Sequence, residues 1–140
     1  MDITIAENEK QKEDAYQVRF KVFVEEQKVP ENIEIDELEE EAIHFVGYNE
    51  DKPIAASRMR LAEDYGKMER ICVLNEFRAQ GYGKDILLFM EKIAKQKGIH
   101  TAKLNAQTQA EGFYQQLGYQ TTSEEFLDAN IPHVTMTKEI

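Results

Sequence analysis

The segment "ERICVLNEFRAQGYGKDILLFMEKIAKQKGIHTAKLNA" (residues 69–106) constrains the fold of this chain more than any other. It reads as a strand, a glycine turn, a long amphipathic helix and a second strand. From Gly81 to Lys97, Ile86, Leu87, Phe89, Met90, Ile93 and Ala94 fall on one stripe, the period of a helix with one face in a core. Gly98 follows as a C-terminal stop. Two strands joined by such a helix form a crossover unit, so part of the sheet has to be parallel.

The rest of the chain adds mostly hairpins. "ITIAE" (3–7) alternates as a short strand, and "KQKEDAYQVRFKVFVEEQ" (10–27) carries helical spacing. "KVPENIEIDELEEE" is an acidic loop with room for a helical turn. "AIHFVGYNEDKPIAASRMRLAE" reads as strand 43–49, a turn, and strand 53–62. "GKMERICVL" is a further strand. "QAEGFYQQLG" is a short helix, and "YQTTSEEF" and "HVTMTKEI" close the sheet. The expected fold is α/β (α+β), a mixed sheet of 6–7 strands, mostly antiparallel, with helices on both faces. A length of 140 residues without a linker fits one domain over 1–140.

Composition narrows the partners. Lys and Arg total 17 against 27 Asp and Glu, a net charge of −10 that disfavours nucleic acid and anionic membranes. "MDITIAENEK" has neither the basic nor the apolar part of a signal peptide, and no apolar run nears the roughly 18 residues of a spanning helix. The lone Cys72 permits no internal disulfide. A cytoplasmic protein is expected.

The turn "RAQGYGK" is compatible with anion binding. A dinucleotide fingerprint would need glycine where Ile86 stands. A nucleoside-triphosphate loop would need glycine at Arg78 and Ser or Thr at Asp85. What remains is Arg-x-x-Gly-x-Gly between a strand and a helix. Its glycines let a ligand approach the backbone, the helix N-terminus offers amides, and Arg78 and Lys84 can add charge-assisted bonds. On spacing alone it is either such a site or a plain helix start with surface charges.

The motif "VLNEFRAQGYGKDILLFMEKIAKQKGI" resembles the acyl-coenzyme A motif of the GCN5-related N-acetyltransferases (GNAT), Arg/Gln-x-x-Gly-x-Gly/Ala. "QTQAEGFYQQLGY" resembles their second signature, Asn-x-x-Ala-x-x-x-Tyr before a Gly-aromatic pair, with Gln107 at the Asn place. The likeness covers essentially the whole chain and implies the splayed GNAT sheet with acetyl-CoA as co-substrate. It implies that backbone amides of Ala79, Gln80, Gly81, Tyr82 and Gly83 hold the pyrophosphate. Ile71, Cys72 and Val73 would pair with the pantetheine arm as an added strand, and Gln107 would touch that arm.

Acetyl transfer to an amine must remove a proton, stabilise the carbonyl oxygen and release a thiolate. The resemblance places Glu69 at a family base, acting directly or through water, and otherwise it is a strand glutamate paired with Lys67 or Arg70. An amide near Val73 would meet the oxyanion, and Tyr114 stands where the family protonates the thiolate. Cys72 has no activating neighbour in sequence, so direct transfer in a ternary complex is expected over a covalent route.

The region 19–44 with "IPHVTM" resembles the small bacterial ElaA-like subgroup. It supplies the acceptor candidates Arg19, Glu34, Asp36 and His133, with Glu39 completing an acidic cluster able to attract an ammonium. The Arg19–Phe23–Glu34–Asp36–Glu39 spacing also resembles acyl-homoserine-lactone synthases, which are far longer and have a less well-formed turn. His44 and His133 lie in apolar strands, where a lone histidine is commonly a satisfied core residue. No metal is expected, because no pair shows ligand spacing. The expected acceptor is a small-molecule or peptide amine, and a homodimer through sheet edges is an arrangement the family often uses. A coenzyme A-binding sensor without turnover is the rival from another class.

Overall fold

In the computed structural model, which describes residues 1–140, the crossover forms as β4 (Gly66–Val73), α3 (Tyr82–Gln96) and β5 (Thr101–Gln107). Before it stand β1 (Asp2–Ile5), α1 (Glu9–Arg19), α2 (Glu31–Glu34), β2 (Ile43–Asn49) and β3 (Lys52–Leu61). After it come α4 (Glu111–Gln116), β6 (Gln120–Thr121), β7 (Phe126–Asp128) and β8 (Ile131–Glu139). The eight strands run in the order β1-β2-β3-β4-β5-β8-β6, with β7 on β8. Only β4 and β5 are parallel. The eighth strand arises because "YQTTSEEF" divides: residues 120–121 pair β8 at one place and residues 126–128 pair it as a tight hairpin at another.

Local chemistry accounts for the helix ends. Asn8 caps α1 in a capping box with Gln11. The predicted first helix does not stay α-helical: Phe20–Glu26 continue it as a π-helix. At the far end of α3, Gly98 takes φ +82 and Ile99 N–H reaches back to the Ala94 carbonyl, a Schellman-type stop. Ile86, Leu87, Met90 and Ala94 are fully buried.

The sheet separates two layers. A Cβ at Gly66 would meet Met59, Met68 and Ala94, so these strand residues face α3. Strand alternation then turns Arg58, Lys67 and Glu69 to the other face, towards α1 and the 31–42 segment. No helix is long and apolar enough to cross a membrane.

Two irregularities of β4 make the site. β4 pairs with β5 only over Gly66–Met68 against Ala102–Leu104, and beyond that the two parallel strands part. On its other edge the register with β3 shifts between Ala56 and Arg58, and Arg70 takes φ +58, a bulge that re-aims the strand. The Ser57 hydroxyl at the shift is buried without a partner.

Candidate active site

Where β4 and β5 part, a cleft of about 490 Å³ opens. Its walls are β4 from Lys67 to Val73, the turn from Arg78 to Lys84, and Leu104, Asn105 and Gln107 of β5. Phe113 and Tyr114 of α4, Asp128, Ala129, Ile131 and His133 of the closing hairpin, and Val22, Phe23, Gln27, Val29, Ile33 and Glu34 complete it.

The glycine turn has the local structure that anion binding needs. Gly81 is the N-cap of α3 at φ +84, and Ala79 is also left-handed at φ +63. The first helical bond runs from Asp85 N–H to the Gly81 carbonyl, and the amides of residues 79–84 donate to no acceptor in the protein. A helix start supplies such orphan donors and the positive end of its dipole. A Cβ at Gly81 would meet nothing within 4 Å, so this glycine serves the left-handed backbone and an open approach.

Arg78 is committed elsewhere. Its Nε donates to the Val73 carbonyl at 2.9 Å, and its Nη atoms bind Glu26 at 2.6 and 2.7 Å. It therefore ties the π-helical end of the first helix across the open edge of β4. Lys84 lines the cleft without an ion pair. Gln107 Nε2 donates to Gln27 Oε1 at 2.8 Å, and Gln107 Oε1 accepts from Gln109, so both ends of this amide are engaged.

Tyr114 is half-buried, stacks edge-on to Phe113 and Tyr119, and its hydroxyl makes no hydrogen bond within the protein. Burial pushes its phenol up to about 12, so it holds its proton at neutral pH. The Cys72 thiol lies 3.7 Å from the Ala56 carbonyl, and burial pushes it up to about 12 as well. It therefore stays a thiol, a poor nucleophile at neutral pH.

Glu69 lies in the cleft with Lys67, one of its two predicted partners, at 3.9 Å, but its hydrogen bonds come from two arginines that were not predicted. Arg58 Nε and Arg60 Nε both donate to Oε1 at 2.9 Å, and Arg60 Nη2 donates to Oε2 at 3.1 Å. Burial alone would raise this carboxyl, yet the bonds and charges of the two arginines outweigh it and hold it below the usual range.

The acidic cluster needs the larger correction. Arg19 does not face an acceptor: it is fully buried, with Nε on Glu34 at 2.9 Å and Nη1 and Nη2 on Glu39 at 2.9 and 2.8 Å. Glu34, 2% exposed, also meets Arg70 Nε at 3.3 Å. Asp36 accepts both Nη atoms of Arg58 at 2.8 and 3.1 Å, and Arg58 Nη1 reaches Glu39 at 2.8 Å. Glu34, Asp36, Glu39 and Glu69 are thus matched by Arg19, Arg58, Arg60 and Arg70. Within a loop that reads as a free negative patch, Glu34, Asp36 and Glu39 form a neutralised network, because buried carboxylates are retained only when paired. Arg58 and Arg60 were missed; two arginines inside the buried-type run "IAASRMRL" are the signal for acids packed against it.

His44 serves that network too. Its Nε2 donates to the Glu39 carbonyl at 2.8 Å, while its Nδ1 is buried without a partner. His133 lies in the cleft: Nδ1 donates to the Ile131 carbonyl at 2.6 Å and the ring stacks on Phe126. A second buried triad, Tyr119 hydroxyl to Glu91 at 2.8 Å with Lys138 on Glu91 at 2.9 Å, ties α3 to β8 away from the cleft.

The family model described as an acetyltransferase (GNAT) domain matches residues 6–140. The uncharacterized N-acetyltransferase YjcF of Bacillus subtilis is 51% identical over 140 residues, covering 99% of this chain and all of that protein. A candidate N-acetyltransferase of Lactobacillus plantarum, known from a crystal structure, superposes with a TM-score of 0.93 at 27% identity, covering 99% of this chain and 97% of that one. ElaA of Escherichia coli is 27% identical over 129 residues, 89% of this chain and 84% of that protein. The splayed strands, the amide-lined turn and these likenesses agree: the chain belongs to the GNAT acetyltransferase family, acyltransferases whose donor is acetyl-CoA.

Proposed function

We propose that the protein transfers an acetyl group from acetyl-CoA to a primary amine, directly and within a ternary complex, as a single domain working in the cytoplasm. One observation carries this reading: unbonded amides of residues 79–84 and the unpaired edge of β4 border one cleft with the free hydroxyl of Tyr114. Pyrophosphate would be held by the amides of Ala79, Gln80, Gly81, Tyr82 and Gly83, with Lys84 adding charge. The pantetheine arm would pair along Ile71, Cys72 and Val73, once Arg78 leaves the Val73 carbonyl and turns to phosphate, and Gln107 would flank it.

Tyr114 is the acid for the departing thiolate. Its phenol carries a proton at neutral pH; a free thiolate of pKa about 8.5 is a weaker base than a phenolate, so the proton passes to sulfur as the C–S bond breaks and the phenolate regains its proton from solvent. Glu69 acts as base through a bound water, because arginines occupy both of its oxygens. A strand amide near Val73 faces the carbonyl oxygen, worth about 3 kcal/mol for a well-aimed donor. The raised thiol of Cys72 argues against a covalent route.

Release of free thiol across a panel of amines tests the reading. Initial rates with both substrates varied should give intersecting lines, and acetyl-CoA alone should leave the protein mass unchanged. Tight acetyl-CoA binding with no thiol release from any amine would make the chain a coenzyme A-binding module instead. An acetylated protein competent for turnover would replace direct transfer with a covalent intermediate.

A further inference from the structure

On the acceptor side, the network that neutralises the acidic cluster leaves one cation of the cleft wall without a hydrogen bond. Lys67 lines the cleft on the same face of β4 as Glu69, with a side chain 18% exposed. Its ammonium makes no hydrogen bond within the protein. The nearest carboxylate oxygen, Glu69 Oε2, lies 3.9 Å away and already accepts from Arg60. Glu69 is the stronger attraction and Asp128, also in the cleft lining, a weaker one, while Arg60 and Lys103 repel it. Burial, the largest influence, lowers its ammonium from the ordinary lysine value. A half-buried cation without hydrogen bonds is an unfavourable arrangement unless something anionic completes it.

Two further groups beside it are open. Asn105 Oδ1 accepts from the Thr135 hydroxyl at 2.8 Å, and its amide hydrogens have no acceptor. His133 donates from Nδ1 to a backbone carbonyl, and its Nε2 has no partner within the protein. The wall therefore combines a cation that makes no hydrogen bond with a donor and an acceptor, whereas Glu34, Asp36, Glu39 and Glu69 are bonded to arginines.

We infer that Lys67 is the anion-recognition residue of the acceptor site, and that the acceptor is a primary amine which also carries an anionic group, a carboxylate or a phosphate. The net charge of −10 does not oppose this, because recognition here is a contact inside a cleft while the surface charge acts at longer range through screening solvent. The inference rests on the acetyl-transfer reading and names its acceptor class.

Matched pairs of amines decide it: lysine against cadaverine, tyrosine against tyramine, and phosphoethanolamine against ethanolamine, each in the thiol-release assay with saturating acetyl-CoA. At least one anionic member should exceed its partner in kcat/KM by about tenfold or more, and which pair responds tells carboxylate from phosphate. Lys67→Gln should collapse that preference towards unity through KM, the signature of lost binding, and Lys67→Arg should keep most of it. Thermal melts of both variants check that they fold. Equal turnover within every pair, or a preference that survives Lys67→Gln, overturns the inference and leaves acetyl transfer standing. No thiol release from any amine, with acetyl-CoA still bound, overturns both.

Discussion

The two sides of the cleft use different groups to do their work. On the coenzyme side, the ligand-facing groups are backbone: the amides of residues 79–84 and the edge of β4 that β5 abandons after Met68. On the acceptor side they are charged side chains, and most are bonded to one another rather than open to a ligand. A backbone site is built by chain geometry and tolerates changes in the side chains around it. A side-chain network fails when one member is lost, because its partners are left charged and buried.

The largest effect expected from that contrast is on stability. Arg19→Met removes the buried cation facing Glu34 and Glu39 and should cost about 3–5 kcal/mol in urea denaturation at neutral pH. Adding Glu39→Gln should recover part of it, whereas equal loss in the double variant would mean that packing, not charge, held the site. The pH dependence has a definite sign. Asp36, Glu39 and Glu69 are each buried enough to raise their carboxyls, yet arginine bonds hold all three below the ordinary range. Their contribution is therefore present above an unfolded carboxylate pKa of about 4 and lost as pH falls through the lower folded values. Denaturation midpoints should drop on acidification, and less steeply in Arg19→Met.

Next in size is a change in chemistry alone. Tyr114→Phe deletes a hydroxyl with no partner in the protein, so coenzyme affinity should stay within about twofold while kcat falls about 10²-fold. Unchanged turnover would remove Tyr114 as the acid.

On the backbone side, Gly81→Val puts a branched side chain at φ +84, where no atom stands within 4 Å of the new Cβ. The strain is about 1–2 kcal/mol in the turn alone. Acetyl-CoA binding by calorimetry should weaken about tenfold or more, and full affinity in this variant would show that the turn does not hold the coenzyme. The smallest effect belongs to the tie between the two sides. Glu26→Gln frees Arg78, and an exposed pair of this kind is worth about 0.2–1 kcal/mol. Coenzyme affinity should rise about two- to fivefold, more at low salt; weaker binding would mean that Glu26 orders the site instead of competing for Arg78.

The same contrast explains what could be read in advance. The α3 stripe, the Gly98 stop and the glycine turn that opens α3 were legible because helix periodicity and glycine punctuation are local properties of a few neighbouring residues. The bulge at Arg70 was not: a one-residue register shift leaves no mark in composition and is chosen by how β4 meets β3. The division of the last strands was missed for the same reason. Glu69 was placed in the cleft by resemblance, but its partners Arg58 and Arg60 come from β3, 11 and 9 residues away in sequence, across a strand pairing whose register the bulge shifts.

For this chain, the order of residues alone determined the β-α-β crossover, the glycine turn with its amide donors, and the tyrosine of the second signature, each signalled by a pattern local to one stretch of chain. The tertiary structure alone decided the charge on the acceptor side. "ENIEIDELEEE" looks negative because sequence counts charges without their partners, and 15 to 20 residues separate Arg19 from Glu34 and Glu39. Folding brings them within 3 Å, neutralises Glu34, Asp36 and Glu39, and leaves Lys67 on the acceptor side with Glu69 at 3.9 Å and no hydrogen bond.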